Sequence, residues 1–194
     1  MTAHIPVQRL MANAKDAYLA HLLALGTEGT RLRFGAPMSP EAIASYVAHI
    51  DFDHDEIFGV YGGALALVGA AHLAFTDDFA ELGVSVLPEA RGRGIGGALV
   101  RRAAEHARNR SMLRLYMHCL AENATMIRIA KRAEMEVMIA AGDADAHVTL
   151  LPATPMSHTS ELLADRVALY DYALKSNVET WRRMGMAMAG PADK

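Results

Sequence analysis

Apolar residues recur along this chain with two periods, about 3.6 residues in some stretches and 2 in others, and each change marks an element boundary. Over residues 13–25, Tyr18, Leu22 and Leu25 fall at steps of three or four, which predicts a helix with Gly26 as its C-cap. Residues 30–34 read as a short strand. Ser39-Pro40-Glu41 is a helix start: a capping serine, a proline at the first helical position and an early acid. That helix would bury Ile43, Tyr46, Val47 and Ile50. Residues 57–61 and 65–75 predict a hairpin with a tight turn at Gly62-Gly63. After a second turn at Thr76-Asp77-Asp78, residues 81–87 alternate. Leu82, Val84 and Val86 take one face and Glu81, Gly83 and Ser85 the other, until Pro88 ends the run.

Beyond Pro88 the period becomes helical again. Residues 95–108 carry Leu99, Val100, Ala103 and Ala107 as an apolar stripe. Residues 113–120 predict a strand, 123–132 a helix, and 137–141 and 147–151 two further strands. Two prolines within 151–159 mark a linker. Leu163, Val167, Tyr170, Leu174, Val178, Trp181 and Met184 then recur at steps of three or four, the pattern of a long amphipathic helix. The order is helices, an antiparallel meander, a β-α-β unit, then further α and β. It predicts an α+β domain over residues 1–155 and a C-terminal helical extension over 156–194. The stripe of that extension should cover apolar surface, on its own domain or on a second copy in a two-fold dimer.

Composition narrows the functional classes. The 194 residues are 52% apolar, enough for a full core. A formal net charge of −3 offers no basic excess, so neither nucleic acid nor an anionic membrane is an expected partner. The single cysteine, Cys119, excludes a disulfide framework or a cysteine-based zinc site within one chain. The N-terminal segment lacks the pattern of a signal peptide, and no apolar run approaches the roughly 20 residues that span a bilayer. A cytoplasmic protein is the expectation. The acidic run Asp51-Phe52-Asp53-His54-Asp55-Glu56 lacks the glycine and distal glutamate of a calcium loop. It reads as a solvated connection or a lip that steers a cationic amine, and no metal is expected.

The chemistry concentrates where a strand runs into Arg91-Gly92-Arg93-Gly94-Ile95-Gly96-Gly97 and a helix leaves. The first turn of a helix has N–H groups without internal partners and the positive end of the helix dipole. Glycines remove side chains that would keep an anion from that backbone, and the two arginines add charge suited to phosphate oxygens. The segment therefore predicts a phosphate cradle. Gly92, Gly94 and Gly97 also satisfy G-x-G-x-x-G, so a dinucleotide is the first rival. That reading wants an acid about 20 residues on, at the end of the next strand. Residues 113–120 contain no acid and do contain Arg114, and the chain has no Gly-Lys-Ser/Thr triplet of a nucleotide P-loop.

The run Arg91-Gly92-Arg93-Gly94-Ile95-Gly96, preceded by Val86-Leu87-Pro88, resembles the signature of the GCN5-related N-acetyltransferase (GNAT) family, Q/R-x-x-G-x-G/A after a strand ending V-x-P. The resemblance extends from about Ile57 to about His147 and leaves out the C-terminal helix. It implies a mostly antiparallel central sheet with a splayed strand pair and helices on both faces. It also implies transfer of acetyl from acetyl-CoA to an amine by direct attack. Within it, Arg91, Gly92, Arg93, Gly94, Ile95, Gly96 and Gly97 would hold the CoA pyrophosphate. The pantetheine arm would pair with strand backbone near Val84 and Val86, as an added strand does. Asn123 would hydrogen-bond the cofactor or a water, which is compatible with an ordinary N-cap. The chain departs from the family where a tyrosine often follows that asparagine by seven residues: Ala130 stands there, and Glu134-Met135 replaces Gly-Phe. Tyr116, Tyr170, Tyr172 or water is left to protonate the thiolate.

Direct attack needs a neutral amine, and a carboxylate or histidine can take its proton. Glu81, at the start of the splayed strand, is the first candidate and His118, on the next strand, the second. Each has a plainer alternative, as a solvated strand-end acid and a hydrogen-bonded strand histidine; His72 reads as structural. The missing tyrosine keeps a CoA-binding sensor or interaction module without catalysis as a second function, and a dinucleotide-dependent oxidoreductase is a third. The acceptor, a small-molecule or peptide amine, is not specified by the sequence.

Overall fold

A computed structural model describes residues 4–188. Seven strands form one sheet: β1 (Gln8–Leu10), β2 (Glu56–Tyr61), β3 (Leu67–Phe75), β4 (Phe79–Val86), β5 (Arg114–Leu120), β6 (Glu136–Ala140) and β7 (Asp143–Thr149), in the order β1-β2-β3-β4-β5-β7-β6. Every neighbouring pair is antiparallel except β4 and β5, which are parallel and joined across α4 (Ile95–Asn109). The helices α1 (Lys15–Ala24), α2 (Gly26–Phe34) and α3 (Pro40–Ala48) precede β2; α5 (Ala124–Arg132) follows β5, and α6 (Pro155–Met188) ends the described chain.

The predicted alternation of β4 separates two cores. Leu82 and Val84 join Leu99, Ala103, Leu115 and Met117 under α4 and α5. Tyr18, Leu22, Ile43, Val47, Ile57 and Leu67 form a second core under α1 and α3. The mixed, mostly antiparallel sheet with helices on both faces is thus as expected. Ser39 caps α3 by accepting from the Ala42 N–H at 3.2 Å.

Four local expectations differ. Residues 30–34 are the end of helix α2, not a strand. Five residues are too few to separate the two periods, and Thr30 satisfies its hydroxyl on the Gly26 and Thr27 carbonyls, as a helical threonine does. Arg31 and Arg33 then lie in the last turn, where the dipole favours cations, before Gly35 at φ 81°. The β2–β3 connection is longer than a two-residue turn, and the left-handed residues in it are Ala64 and Leu65, at φ 53° and 56°. The strand predicted at 147–151 is the second half of a tight β6–β7 hairpin turned at Ala141-Gly142. Helix α6 begins at Pro155, inside the predicted linker.

The docking of α6 narrows the two alternatives for its stripe. Most of its apolar stripe does not lie on the domain: Tyr170 and Trp181 are each 73% exposed and Leu174 and Val178 are exposed as well, while Leu163 and Val167, partly exposed, line a cleft that runs past α4 and α5. The helix docks by its other face, through Ser157, Glu161, Asp165 and Ala168. On this side α4 offers polar groups, so polar partners meet it. Arg102 Nη1 donates to Glu161 at 2.8 Å and Nη2 to Asp165 at 2.6 Å. His106 Nδ1 donates to Glu161 at 2.6 Å, and the Ser157 hydroxyl donates to Asn109 Oδ1 at 2.6 Å. His106 Nε2 lies 3.4 Å from Glu56, which also pairs with Arg9, so the network reaches β1 and β2. No described helix is long and apolar enough to cross a membrane.

Candidate functional site

The site begins with a mismatch in the sheet. Strand β4 pairs with β3 from Phe75↔Ala80 to Gly69↔Val86, but with β5 only over Phe79–Glu81 against Arg114–Tyr116. Beyond Glu81 the two parallel strands separate. A cleft of about 1180 Å³ follows the opening, lined by Val84, Ser85 and Val86 of β4, by α2 and by α5, and it ends on the loop that starts α4. Unpaired strand backbone along a cleft can receive an extended chain bearing amides.

At that end Gly92 and Gly94 have φ of 75° and 83°, which a β-carbon would strain. Gly94 is the N-cap of α4. The helix has neither a side-chain cap nor an acid in its first turn, so its first N–H groups keep their capacity for an anion. Arg91 Nε donates to the Val86 carbonyl at 3.2 Å and Arg93 Nη2 to the Glu89 carbonyl at 3.0 Å, bracing the loop while their other guanidinium N–H groups make no hydrogen bond among the described residues. Ile95 and Gly97 line the cleft. Gly96 does too, but a β-carbon there would stand 2.8 Å from Ile129 Cδ1, so this glycine also lets α4 and α5 approach. Arg101, Arg128 and Arg132 line the cleft as well, cations the sequence did not single out because they sit on separate turns of two helices. Asn123 caps α5, its Oδ1 accepting from the Met126 N–H at 3.1 Å, and lines the cleft too. The cleft, the free helix N-terminus and the arginines fit a long ligand with phosphates at one end.

Toward β1 and α1 the cleft meets Ser85, whose hydroxyl donates to His21 Nε2 at 2.8 Å, while His21 Nδ1 donates to the Leu67 carbonyl at 2.8 Å. Burial lowers the His21 pKa to about 4, so it is a neutral acceptor at neutral pH. Beside it stands Arg33 of α2, a residue the mistaken strand reading hid. Its Nη2 donates to the Tyr46 hydroxyl at 3.4 Å; Tyr46 in turn donates to His72 Nδ1 at 2.5 Å, and His72 Nε2 is 3.2 Å from Asp55. Burial lowers the His72 pKa despite Asp55, so this histidine is a spacer between Tyr46 and the acid. Asp55 therefore belongs to a partly buried relay. Asp51 instead closes a local turn, accepting from the Asp53 N–H at 2.9 Å and from His54 at 2.7 Å.

Glu81 is the last residue of the short β4–β5 ladder, opposite Tyr116, and is exposed at the mouth of the splay. His118 lies two residues beyond Tyr116, half exposed, with Nδ1 donating to Asp145 at 2.8 Å. Neither is among the residues lining the cleft proper. Tyr116 accepts from Arg114 at 3.0 Å and stacks on His147. Tyr172 packs edge-on against Tyr61, and Tyr170 projects from α6. Ala130 lies on α5 and is buried.

A family model described as the acetyltransferase (GNAT) family matches residues 27–134. Among curated proteins none matches. Several solved structures share the fold. The GNAT domain of S. lividans PAT superposes with a TM-score of 0.63 at 20% identity, covering 74% of this chain and 89% of that one. Spermidine N-acetyltransferase from Vibrio cholerae, solved with CoA and spermine, gives 0.59 at 17% identity, covering 74% and 95%. Ribosomal-protein-alanine N-acetyltransferase from Brucella melitensis gives 0.57 at 20% identity, covering 74% and 99%.

Proposed function

The chain belongs to the GNAT acetyltransferase family, and from that premise we propose that it moves an acetyl group from acetyl-CoA to an amine. The observation that carries the reading is the strand splay running into an uncapped, glycine-lined helix start. Residues 91–97 would hold the pyrophosphate, the β4 backbone at Val84 and Val86 the amide-bearing arm, and the Asn123 amide the cofactor or a water. Bound there, acetyl-CoA supplies an activated acyl carbon. Glu81, at the mouth of the splay, takes the proton of the attacking amine directly or through water; His118, held by Asp145, is the second base. Water protonates the leaving thiolate, since Ala130 occupies the position of the usual tyrosine. The acceptors named for the neighbours, a polyamine and a ribosomal-protein alanine, differ enough that neither transfers to this chain. A second copy is the proposed cover for the α6 stripe, making a homodimer.

Calorimetry with acetyl-CoA and NAD, followed by thiol release over an amine panel, tests this. Acetyl-CoA should bind and NAD should not, and Glu81→Gln should cut kcat by on the order of 10²-fold with little change in CoA affinity. Retained activity in Glu81→Gln together with its loss in His118→Ala would move the base to His118. CoA binding without turnover of any amine would favour the sensor reading that Ala130 keeps open. NAD binding without CoA binding would end the acetyltransferase reading.

A further inference from the structure

Among the described residues Arg33 is a cation without an ion-pair partner. Its neighbours are neutral: the Tyr46 hydroxyl accepts from Nη2 at a long 3.4 Å, the buried Tyr18 phenol lies within reach, and the guanidinium carbon stands 4.7 Å from the Phe34 ring centroid. Its Nε is buried with no partner, and among the described residues no carboxylate pairs with it. Sheltering part of a guanidinium from water without a counter-charge costs free energy, so its seat calls for a reason. The opposite strand makes room for it: Gly83 has no side chain, and a methyl there would overlap the guanidinium. Behind it the Tyr46–His72–Asp55 relay fixes the phenol that its Nη2 touches.

Its location is as telling as its lack of a counter-charge among the described residues. Gly83 lies two residues past Glu81, the last β4 residue laddered to β5, so Arg33 covers β4 where the strands begin to part. Arg33 lines the same cleft as the phosphate cradle but near its other end, across Ser85 and Val86. Across the splay His118 follows Tyr116 by two residues and so shares the face of Gly83, with Asp145 and Asp143 beside it. Within the cleft this end therefore carries one unneutralised guanidinium, while the carboxylates beside His118 lie outside the cleft lining.

We propose that Arg33 anchors a carboxylate carried by the acceptor, so that the amine acetylated belongs to an amino acid or a similar aminocarboxylate. The inference rests on the acetyltransferase reading. A guanidinium fork matches a carboxylate in two parallel hydrogen bonds. One cation balances one negative charge, while a phosphate dianion there would be left with uncompensated charge near Glu81 and Asp55. A polyamine acceptor would meet a fixed positive charge where it has nothing to offer.

The test measures binding of products by calorimetry, with CoA present, to the wild type, Arg33→Gln, Arg33→Lys and Gly83→Ala. The probes are the N-acetyl derivatives of the standard amino acids and the matching amides. A bound N-acetyl amino acid should exceed its amide by at least about tenfold in the wild type. That preference should vanish in Arg33→Gln and return in part in Arg33→Lys. It should also vanish in Gly83→Ala, which keeps the charge and displaces it, and CoA affinity should stay level throughout. Equal binding of acid and amide overturns the inference, as does binding of neither. So does an Arg33→Gln variant that slows every amine alike with KM unchanged, which would place Arg33 on the acyl group. These results leave CoA binding, and with it the acetyltransferase reading, intact; failure of the wild type to bind CoA removes both.

Discussion

Replacing Glu161 with glutamine asks whether a polar interlock holds α6 to the domain. The carboxylate accepts from Arg102 at 2.8 Å, from His106 at 2.6 Å and from Asn109 at 2.6 Å, and the side chain is 13% exposed. Burial works to raise its pKa, but the bonds from His106, Arg102 and Asn109 outweigh it and hold the carboxyl far below the usual range. Burial works against charge on His106, and Glu161 and Glu56 outweigh it, raising that pKa. Removing one partner of a buried ion pair costs about 3–5 kcal/mol. Here Arg102 keeps Asp165 at 2.6 Å, and the new amide oxygen still accepts one bond. An effect of about 2–3 kcal/mol is therefore expected. At about 2–4 °C per kcal/mol for a domain of this size, melting should fall by roughly 4–12 °C.

The pH dependence of this effect has a definite sign. The stability from His106, whose folded pKa is raised, is complete below its unfolded value of about 6.5 and is lost as pH rises through the folded pKa. The stability from Glu161, whose folded pKa is depressed, is complete above about 4.5 and is lost as pH falls through the folded pKa. The gap between wild type and variant should therefore peak between about pH 4.5 and about pH 6.5 and narrow as His106 deprotonates. Thermal melts across this range, with amide exchange over residues 155–188, measure it. An unchanged melt near about pH 6 with α6 still protected would refute the interlock, and a gap that widens at high pH would refute its linkage to His106.

Two further outcomes are expected. Gly94→Ala meets only Ile5 Cδ1 at 3.5 Å, so its effect is conformational, from φ 83°. A strain of about 1–2 kcal/mol should reshape the helix start and weaken CoA binding about tenfold or more; unchanged affinity by calorimetry would move the phosphate site elsewhere. Gly96→Val is the poorer test, because it also strikes Ile129. For the α6 stripe, sedimentation velocity should find a dimer that Leu174→Glu with Trp181→Glu converts to monomer, and a monomeric wild type at about 50 μM would exclude the dimer.

The features legible in the sequence are those decided within a few residues. The alternation over 81–87 gave β4 its two faces because side chains in a strand alternate whatever the strand pairs with. Ser39-Pro40 started α3, and Gly92 and Gly94 allowed the left-handed backbone before α4, for equally local reasons. The uncapped, glycine-lined helix start proposed as the cradle was readable for the same cause, since it needs only the helix, the glycines and nearby charge. Arg33 was not readable. Five residues could not separate strand from helix, and its value as a site residue depends on Gly83, fifty residues later in the chain, leaving space beside it. The stripe on α6 is apolar and helical as expected, but the sequence left open whether its own domain or a second copy covers it. Periodicity tells which residues share a face; which face is covered depends on the surface a distant helix presents, and α4 presents Arg102, His106 and Asn109. That choice is made by charge and hydrogen-bond complementarity between segments far apart in sequence, so it exists only once the chain has folded.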